Sequence, residues 1–599
     1  MLSYKILRVN LSERLVKEEY IPKEVTEKYI GGKGFAAYYL YKELKSNIDP
    51  LSPENKLLFF VGPLTGLFPG YSRHIVASKS PLTGTFCDSY AGGWFGVELR
   101  KTGYMGIIIE GRANKLVYIR IEDENFSIED AENLRGKTPY ETDAFFKGYR
   151  VAAIGPAGEK LVKFACIMND AAKPGRSGVA GRGGLGAVMG SKNLKAIVVS
   201  GKKDLFDFIP QKLEDKIKRL RKNFMEYLKK EVAPGIGVGG NLPTVEMSAT
   251  AKVLPVRNFR EGFIEGYKEV TEDAFSKIRV RNNTCYLCPL ACGVQVKIKT
   301  GLFKGLEIDR IEYETVALNG PNCKQLDKGT IAKICLLCNE YGMDTISVGN
   351  ITAFLMECSE KELVNYKLEY GDSEGQVKFV EMIGKREGIG DLFAEGVKKA
   401  AKKLGLENYA VEIKGLEIPG YDVRAPVGMA LAYATSDRGG DHLRAWTITA
   451  ELEELFTIKG KAKLVKNLQD RNSALWCLIG CDNIPANTPR DPMKFVDYSV
   501  NALNIIGWKE TFGWEIDRER FLEIGERVYN LTRLFNVREG FSKRDDQLPE
   551  RLKEPREDTG WRIDQADFER MLEEYYRLRG WDEEGRPTKE TLERLQIKV

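Results

Sequence analysis

Three cysteines stand close together in the run Thr284-Cys285-Tyr286-Leu287-Cys288-Pro289-Leu290-Ala291-Cys292. Their C-x2-C-x3-C spacing lets three thiolates cap adjacent corners of a cubane cluster, with a fourth ligand from elsewhere. A structural zinc site usually draws on two well-formed pairs instead. The spacing therefore favours a [4Fe–4S] cluster over zinc and over three buried thiols. The fourth ligand must come from Cys87, Cys166, Cys323, Cys335, Cys338, Cys358, Cys477 or Cys481. Cys477 and Cys481 are four apart and would share a face if both lay on a helix. For most of the others, a small buried hydrophobe is the simpler reading.

Two segments are suited to phosphate. Arg176-Ser177-Gly178-Val179-Ala180-Gly181-Arg182-Gly183-Gly184-Leu185-Gly186 is dense in Gly and carries two Arg. Glycine lets backbone N–H groups approach an anion, and Arg grips phosphate with a two-pronged fork. The segment is neither a Walker loop nor a dinucleotide fingerprint, and a tight turn between strands explains it equally well. The second is Tyr71-Ser72-Arg73-His74 with Ser80-Pro81-Leu82-Thr83-Gly84 and Tyr90-Ala91-Gly92-Gly93.

Acid–base chemistry has few candidates. Glu312-Tyr313-Glu314-Thr315 would put both carboxylates on one face if it were a strand. Arg438-Gly439-Gly440-Asp441-His442-Leu443-Arg444 holds one of only 2 His beside a Gly-Gly turn. His and Glu are the usual proton handlers near neutral pH. So few His leave almost no room for a His-rich metal site.

The elements that must position these groups follow from the rest of the chain. Its 599 residues suggest roughly two to four domains, and 43% hydrophobic with 30% charged residues describes a globular protein. Lys+Arg at 91 nearly balances Asp+Glu at 86, formal charge +5, which argues against nucleic acid as a partner. The many charges hint at a hyperthermophile. No apolar run reaches a membrane span of about 18 residues. The opening Met-Leu-Ser-Tyr-Lys-Ile lacks a basic-then-apolar signal. A cytoplasmic location with reduced thiols is expected. Leu57–Val61, Ile107–Ile109 and Ala196–Val199 read as buried strands, and Leu116–Ile121 as a half-exposed one. After about Phe208 the pattern turns helical. Leu213, Ile217, Leu220, Phe224 and Leu228 form an apolar stripe that should stop before Pro234-Gly235. Ile331–Tyr341 and Phe521–Phe535 are further helices. The expected fold is α+β. A β-rich base domain spans residues 1–207, and mainly helical domains span residues 208–410 and 411–599.

Taken together, these segments resemble the tungsten-containing aldehyde:ferredoxin oxidoreductase family over essentially the whole chain. The resemblance begins with Tyr29-Ile30-Gly31-Gly32-Lys33-Gly34-Phe35 and runs through Gly62-Pro63-Leu64-Thr65-Gly66 and Ser80–Gly84. It includes Gly181–Lys192, the cysteine run, Glu312–Thr315, Tyr433-Ala434-Thr435-Ser436 and Arg438–His442. It ends with Asp546-Gln547-Leu548-Pro549 and Arg579-Gly580-Trp581. It implies a tungsten held by two pterin dithiolenes beside one [4Fe–4S] cluster, on a β-sheet base closed over by helical domains. It implies oxidation of small aldehydes to carboxylic acids with water as oxygen source and ferredoxin as acceptor.

Carried over residue by residue, Arg73 lies between cluster and pterin, with His74 as a near-cofactor neighbour. Tyr90, and Ala180 to within a residue or two, offer carbonyls to the Mg2+ that joins the pterin phosphates. Gly92, Gly93, Gly181, Arg182 and Gly183 face those phosphates. The first pterin motif matches Asn339-Glu340-Tyr341-Gly342-Met343-Asp344. The second matches Asn472-Ser473-Ala474-Leu475-Trp476-Cys477, which makes Cys477 the fourth cluster ligand. Both motifs open with Asn where the family has Asp, and the second lacks its Gly. Glu314 is the implied base or water positioner, with Glu312 the second choice. His442 would hydrogen-bond the carbonyl, and Tyr421 would line the pocket. The Glu-x-x-His metal site that some members carry between subunits is not expected, which leaves a homo-oligomer open. A dedicated ferredoxin-like small subunit is equally open, and the positive charge suits an acidic partner. Three alternatives stand beside this reading: a low-potential reductase of aromatic acyl-thioesters, a non-catalytic iron–sulfur electron carrier, and molybdenum in place of tungsten.

Overall fold

The computed structural model describes residue 2 and residues 4–173, 175–236, 239–488 and 491–598. The N-terminal part carries two six-stranded sheets. The first is built from β1 (Lys5–Asn10), β2 (Leu15–Tyr20), β3 (Leu57–Phe60), β4 (His74–Lys79), β5 (Phe86–Ala91) and β6 (Tyr104–Glu110), in the order β2-β1-β6-β3-β4-β5. The second comprises β7 (Val117–Glu122), β8 (Asn125–Asp130), β9 (Arg150–Ala153), β10 (Ile167–Asn169), β11 (Gly178–Ala180) and β12 (Leu194–Ser200), in the order β11-β10-β9-β12-β7-β8. The apolar runs fall where their patterns require. Interior strand β3 is buried at every residue, whereas β7 alternates buried and half-buried.

Beyond residue 208 the chain is mainly helical, so the fold is α+β as expected. The Lys328–Tyr341 and Arg518–Arg538 helices contain the two predicted helical segments. The stripe beginning at Leu213 forms the Glu214–Tyr227 helix, but Pro234 does not end it. A π-turn over Leu228–Val232 leads into a further turn, Ala233–Ile236. Pro234 lies in the first turn of that piece, where its missing N–H is harmless. No helix among the described residues is long and apolar enough to cross a membrane.

A small antiparallel sheet of β13 (Arg279–Asn283), β14 (Gly293–Lys297) and β15 (Glu307–Ile311) stands within the helical part. The connection from β13 to β14 carries the three clustered cysteines. C-terminal helices cover the first sheet: Leu475, Leu478, Val528, Leu531 and Phe535 share one apolar core with Leu58, Phe59 and Phe60. Val316 and Leu318 share another with Val427, Leu431 and Tyr575.

The N-terminal and C-terminal parts are also joined by buried charge. Lys33 Nζ lies 3.1 Å from Asp88 on β5 and 2.7 Å from Asp437. Arg444 bridges the same two carboxylates, and Arg438 pairs with Asp441 at 2.9 Å. Three cations and three carboxylates thus balance out of water. Removing one partner of such a set leaves an uncompensated buried charge. Lys33→Ala should destabilise the protein by about 3–5 kcal/mol, read as a lower midpoint of chemical unfolding. An unchanged midpoint would show that the network bears no load.

Candidate active site

A cavity of about 350 Å³ opens where the two sheets meet the helical part. Its wall is built from the segment before β4, the end of β5, the β11 segment, the β13–β14 connection, the chain leaving β15, the stretch from Cys335 to Ile346 and the Cys481–Asn483 turn. The loop around Arg438 and His442 closes it.

Glu312 and Glu314 both line this cavity, though not as strand neighbours. β15 ends at Ile311, Glu312 occupies the N-cap of the Tyr313–Asn319 helix, and Glu314 lies in its first turn. Glu314 Oε2 accepts a 2.7 Å hydrogen bond from the Gly420 N–H. Its Oε1 lies 3.7 Å from His442 Nδ1, which is also 3.8 Å from Asp441, and neither atom has a hydrogen-bond partner among the described residues. Burial pushes the Glu314 carboxyl up to about 8 and the His442 imidazole down to about 4. At neutral pH both are therefore largely uncharged, and the contact is not an ion pair. Perturbed proton donors and acceptors facing a cavity are a mark of catalytic chemistry.

Tyr313 and Tyr421 stack at 4.9 Å, and the Tyr313 hydroxyl donates to the Gly420 carbonyl. This fixes the segment that holds Glu314. Tyr421 lies 5.9 Å from the His442 ring and 4.9 Å from Trp446. Glu312 is deeper. Burial raises its carboxyl, and Arg310, 3.7 Å away, opposes that rise.

The glycine and arginine segments are brought together as the sequence suggested, with exceptions. Gly92, Gly181, Arg73, Arg182, Asn339 and Asp344 all face the cavity. Arg182 ion-pairs with Asp344 at 3.1 Å and donates to the carbonyls of Gly440 and Glu417. Asp344 caps the Thr345–Glu360 helix through the Ile346 N–H. Asn339 Nδ2 donates to the Tyr140 hydroxyl at 3.3 Å. Tyr90 donates to Asp88 at 2.5 Å and stacks on Trp476 at 5.0 Å. The Gly92-Gly93 turn lies directly on Cys285. The Gly93 N–H donates to its sulfur at 3.2 Å, and a Cβ on Gly92 would sit 2.9 Å from it.

Five expected positions lie elsewhere. Ala180 is buried in the β10–β11 pairing, while Val179 and Gly181 face the cavity. Gly183 sits behind the wall, its carbonyl accepting from Ser80, because a Cβ there would meet the Cys87 sulfur. Asn472 donates to the Leu443 carbonyl and faces a neighbouring chamber. Leu475 is in the apolar core, and Trp476 lies beneath Tyr90. The stretch proposed as the second pterin motif thus does not reach the main cavity. Although Arg73 lines the cavity, His74 beside it does not. Strand alternation turns it into the core against Phe59 and Phe95, with both ring nitrogens unpartnered.

Cys285, Cys288 and Cys292 line the cavity with two further thiols, Cys335 and Cys481, and Cys477 does not. Cys481 is the one whose charge acts on Cys288 and Cys292, whereas Cys335 donates to the Arg310 carbonyl at 3.5 Å. The Lys461–Cys477 helix ends at Cys477, and Ile479 then takes a left-handed φ of 59°. Cys477 and Cys481 therefore do not share a helix face. Cys477 points into the core, its thiol donating to the Ser473 carbonyl at 3.2 Å. Leu287 and Ala291, each just before a clustered cysteine, are also left-handed. For non-glycine residues this costs of order 1–3 kcal/mol each and tends to mark functional sites. Burial, with Cys285, Cys481 and Cys292 adding to it, pushes the Cys288 thiol well above its ordinary range. Among the described residues no three His, Cys, Asp or Glu side chains converge as one metal ion would require. Cys285, Cys288, Cys292 and Cys481 instead share the wall of one cavity. Sequence reasoning also missed Asn483, which donates to the Cys292 sulfur at 3.6 Å, and Arg310 beside Glu312. Only the adjacent Cys481-Asp482-Asn483 hinted at them.

Two sequence models of one family match this chain. The aldehyde ferredoxin oxidoreductase N-terminal domain covers residues 6–201, and domains 2 and 3 cover residues 218–597. The chain belongs to the aldehyde ferredoxin oxidoreductase family. It is 38% identical to a tungsten-containing aldehyde ferredoxin oxidoreductase of Pyrococcus furiosus, across 99% of this chain and 98% of the relative. It is 32% identical to the WOR-like subunit of an aliphatic sulfonate oxidoreductase of the same organism, across 99% and 96%. Its fold matches the active site complex BamBC of benzoyl coenzyme A reductase with a TM-score of 0.84 at 24% identity, covering 100% of this chain and 98% of that one. Membership makes the chain an oxidoreductase and implies a tungsten–pterin cofactor. The cavity fits such a group. It offers a glycine-lined backbone rim, arginines and the unpartnered Glu314 Oε1 and His442 Nδ1.

Proposed function

We propose that this protein oxidises aldehydes to carboxylic acids at a tungsten–pterin centre and passes the electrons through a [4Fe–4S] cluster to ferredoxin. The observation that carries this reading is the Glu314–His442 pair in the wall of one cavity with Cys285, Cys288, Cys292 and Cys481. Arg73, Gly92, Gly93, Gly181, Arg182, Asn339 and Asp344 would hold the pterins. The Tyr90 carbonyl and one from Val179 or Gly181 would serve the Mg2+. Cys285, Cys288, Cys292 and Cys481 would hold the cluster. When bound, the tungsten accepts the two electrons released by RCHO + H2O → RCOO− + 3H+ + 2e−.

The chain's own residues handle binding and protons. Neutral His442 can donate an imidazole N–H to the aldehyde oxygen. Glu314 ionises near neutral pH and can then take the proton of the attacking water, held in place by the Gly420 N–H. Tyr421 and Trp446 flank the approach and exclude water.

Anaerobically purified protein should contain tungsten and about four iron atoms per chain, and should reduce a viologen dye with benzaldehyde. The fold likeness to BamBC makes benzoyl-CoA the control. Turnover confined to the thioester would overturn the aldehyde reading. Iron without tungsten or molybdenum would favour an electron carrier.

A further inference from the structure

A second chamber of about 260 Å³ lies against the first. Asn241, His442, Leu443, Asp482 and Asn483 are common to both walls. Tyr421 and Trp446 form its aromatic side, with Met247 and Pro485 adding apolar surface. Arg471, on the Lys461–Cys477 helix, is the cation in this wall.

Arg471 is only 6% exposed. Among the described residues no carboxylate lies within 4.0 Å of its guanidinium. Its Nε and Nη2 both donate to one neutral oxygen, Asn472 Oδ1, at 3.0 and 2.9 Å. Asp482, the carboxylate whose charge acts on it, is already engaged by Arg73 and the Trp476 indole. Most other deeply buried arginines among the described residues have a carboxylate partner; Arg100 does not, and stacks on Phe208 instead. Arg444 meets Asp88 and Asp437, Arg424 meets Asp422, and Arg579 meets Asp470. An unpaired buried guanidinium is costly unless an anion arrives to share the site. Burial correspondingly pushes Arg471 down to about 10.

We propose that the substrate is an aldehyde carrying a carboxylate away from its carbonyl carbon, with an apolar or aromatic spacer between them. Arg471 grips the carboxylate in the second chamber while the carbonyl reaches His442 and Glu314. The guanidinium fork matches a planar carboxylate, and one arginine in a wall that also carries Asp482 suits a single negative charge better than a phosphate dianion. This inference rests on the aldehyde-oxidising reading and names its substrate class. It makes Arg471 a specificity residue and Asn472 its positioning partner.

The test compares neutral and anionic members of matched pairs: benzaldehyde with para-formylbenzoate, and hexanal with adipic semialdehyde. In the wild type, kcat/KM should favour the anionic member by at least about 10-fold, mostly through KM, the size of one charged hydrogen bond. Arg471→Met should cut that ratio at least about 10-fold, and Arg471→Lys should keep part of it. Calorimetry provides a readout without turnover. Terephthalate should bind the wild type more tightly than benzoate does, and the difference should shrink in Arg471→Met. Equal or reversed preference in the wild type would overturn the proposal, as would an unchanged ratio in Arg471→Met. If no aldehyde is turned over, the aldehyde reading fails, and equal binding of terephthalate and benzoate would then refute the anion site as well.

Discussion

Glu314→Gln and His442→Asn should each lower kcat for aldehyde oxidation by about 10²- to 10⁴-fold, the usual contribution of a positioned proton-transfer group. Gln keeps the shape of Glu and still accepts from the Gly420 N–H, so the loss would reflect chemistry rather than folding. The pH profile separates the roles. kcat/KM should rise as Glu314 ionises, with an apparent pKa near 8, and this limb should vanish in Glu314→Gln. The same shift has a stability sign. The Glu314 carboxyl holds its proton more tightly in the folded protein, so the folded state loses stability as pH rises from 4.5 to about 8. His442, lowered from 6.5 to about 4, acts oppositely: stability is gained as pH rises through that window. Each variant should remove its own slope. Full turnover in both variants with tungsten bound would refute the assignment.

Cys481→Ser should cost the protein its cluster, whereas Cys477→Ser should not. A serine oxygen is a harder, poorer ligand for iron than a thiolate. Losing one of four ligands should lower iron content and abolish the electron paramagnetic resonance signal of the reduced cluster. Dye reduction should then fall by more than about 10-fold, since the electrons lose their exit. In Cys477→Ser the new hydroxyl can still donate to the Ser473 carbonyl, as the thiol does at 3.2 Å. That variant should lose no more than about 1–3 kcal/mol and keep its spectrum. The opposite pattern would restore Cys477 as the ligand.

Much of this site was legible from local signals. The C-x2-C-x3-C run marked its own chemistry because ligands on one short loop need no distant contact to find one another. The scarcity of His isolated His442, and the Gly-Arg segments announced close backbone approach. What misled was the assumption of continuous local structure. Cys477 and Cys481 share a helix face only if the helix runs on, and Ile479 in the left-handed region breaks it. Glu312 and Glu314 share a strand face only if β15 continues, and it stops at Ile311. His74 beside Arg73 looked close to the cofactor, yet strand alternation sends neighbouring side chains to opposite faces.

The sequence by itself determined the family, the α+β order of elements and the residue types of the chemistry, because these follow from composition, period and short motifs. The tertiary structure decided which residues meet. Glu314 finds His442 and Arg73 finds Asp482, partners from segments far apart in the chain, and among the described residues Arg471 meets no carboxylate within 4.0 Å. Such contacts depend on how the layers pack, and burial, with Asp344 and Asp441 adding to it, then moves Glu314 towards neutral pH. No local pattern encodes either the packing or the loss of water that follows from it.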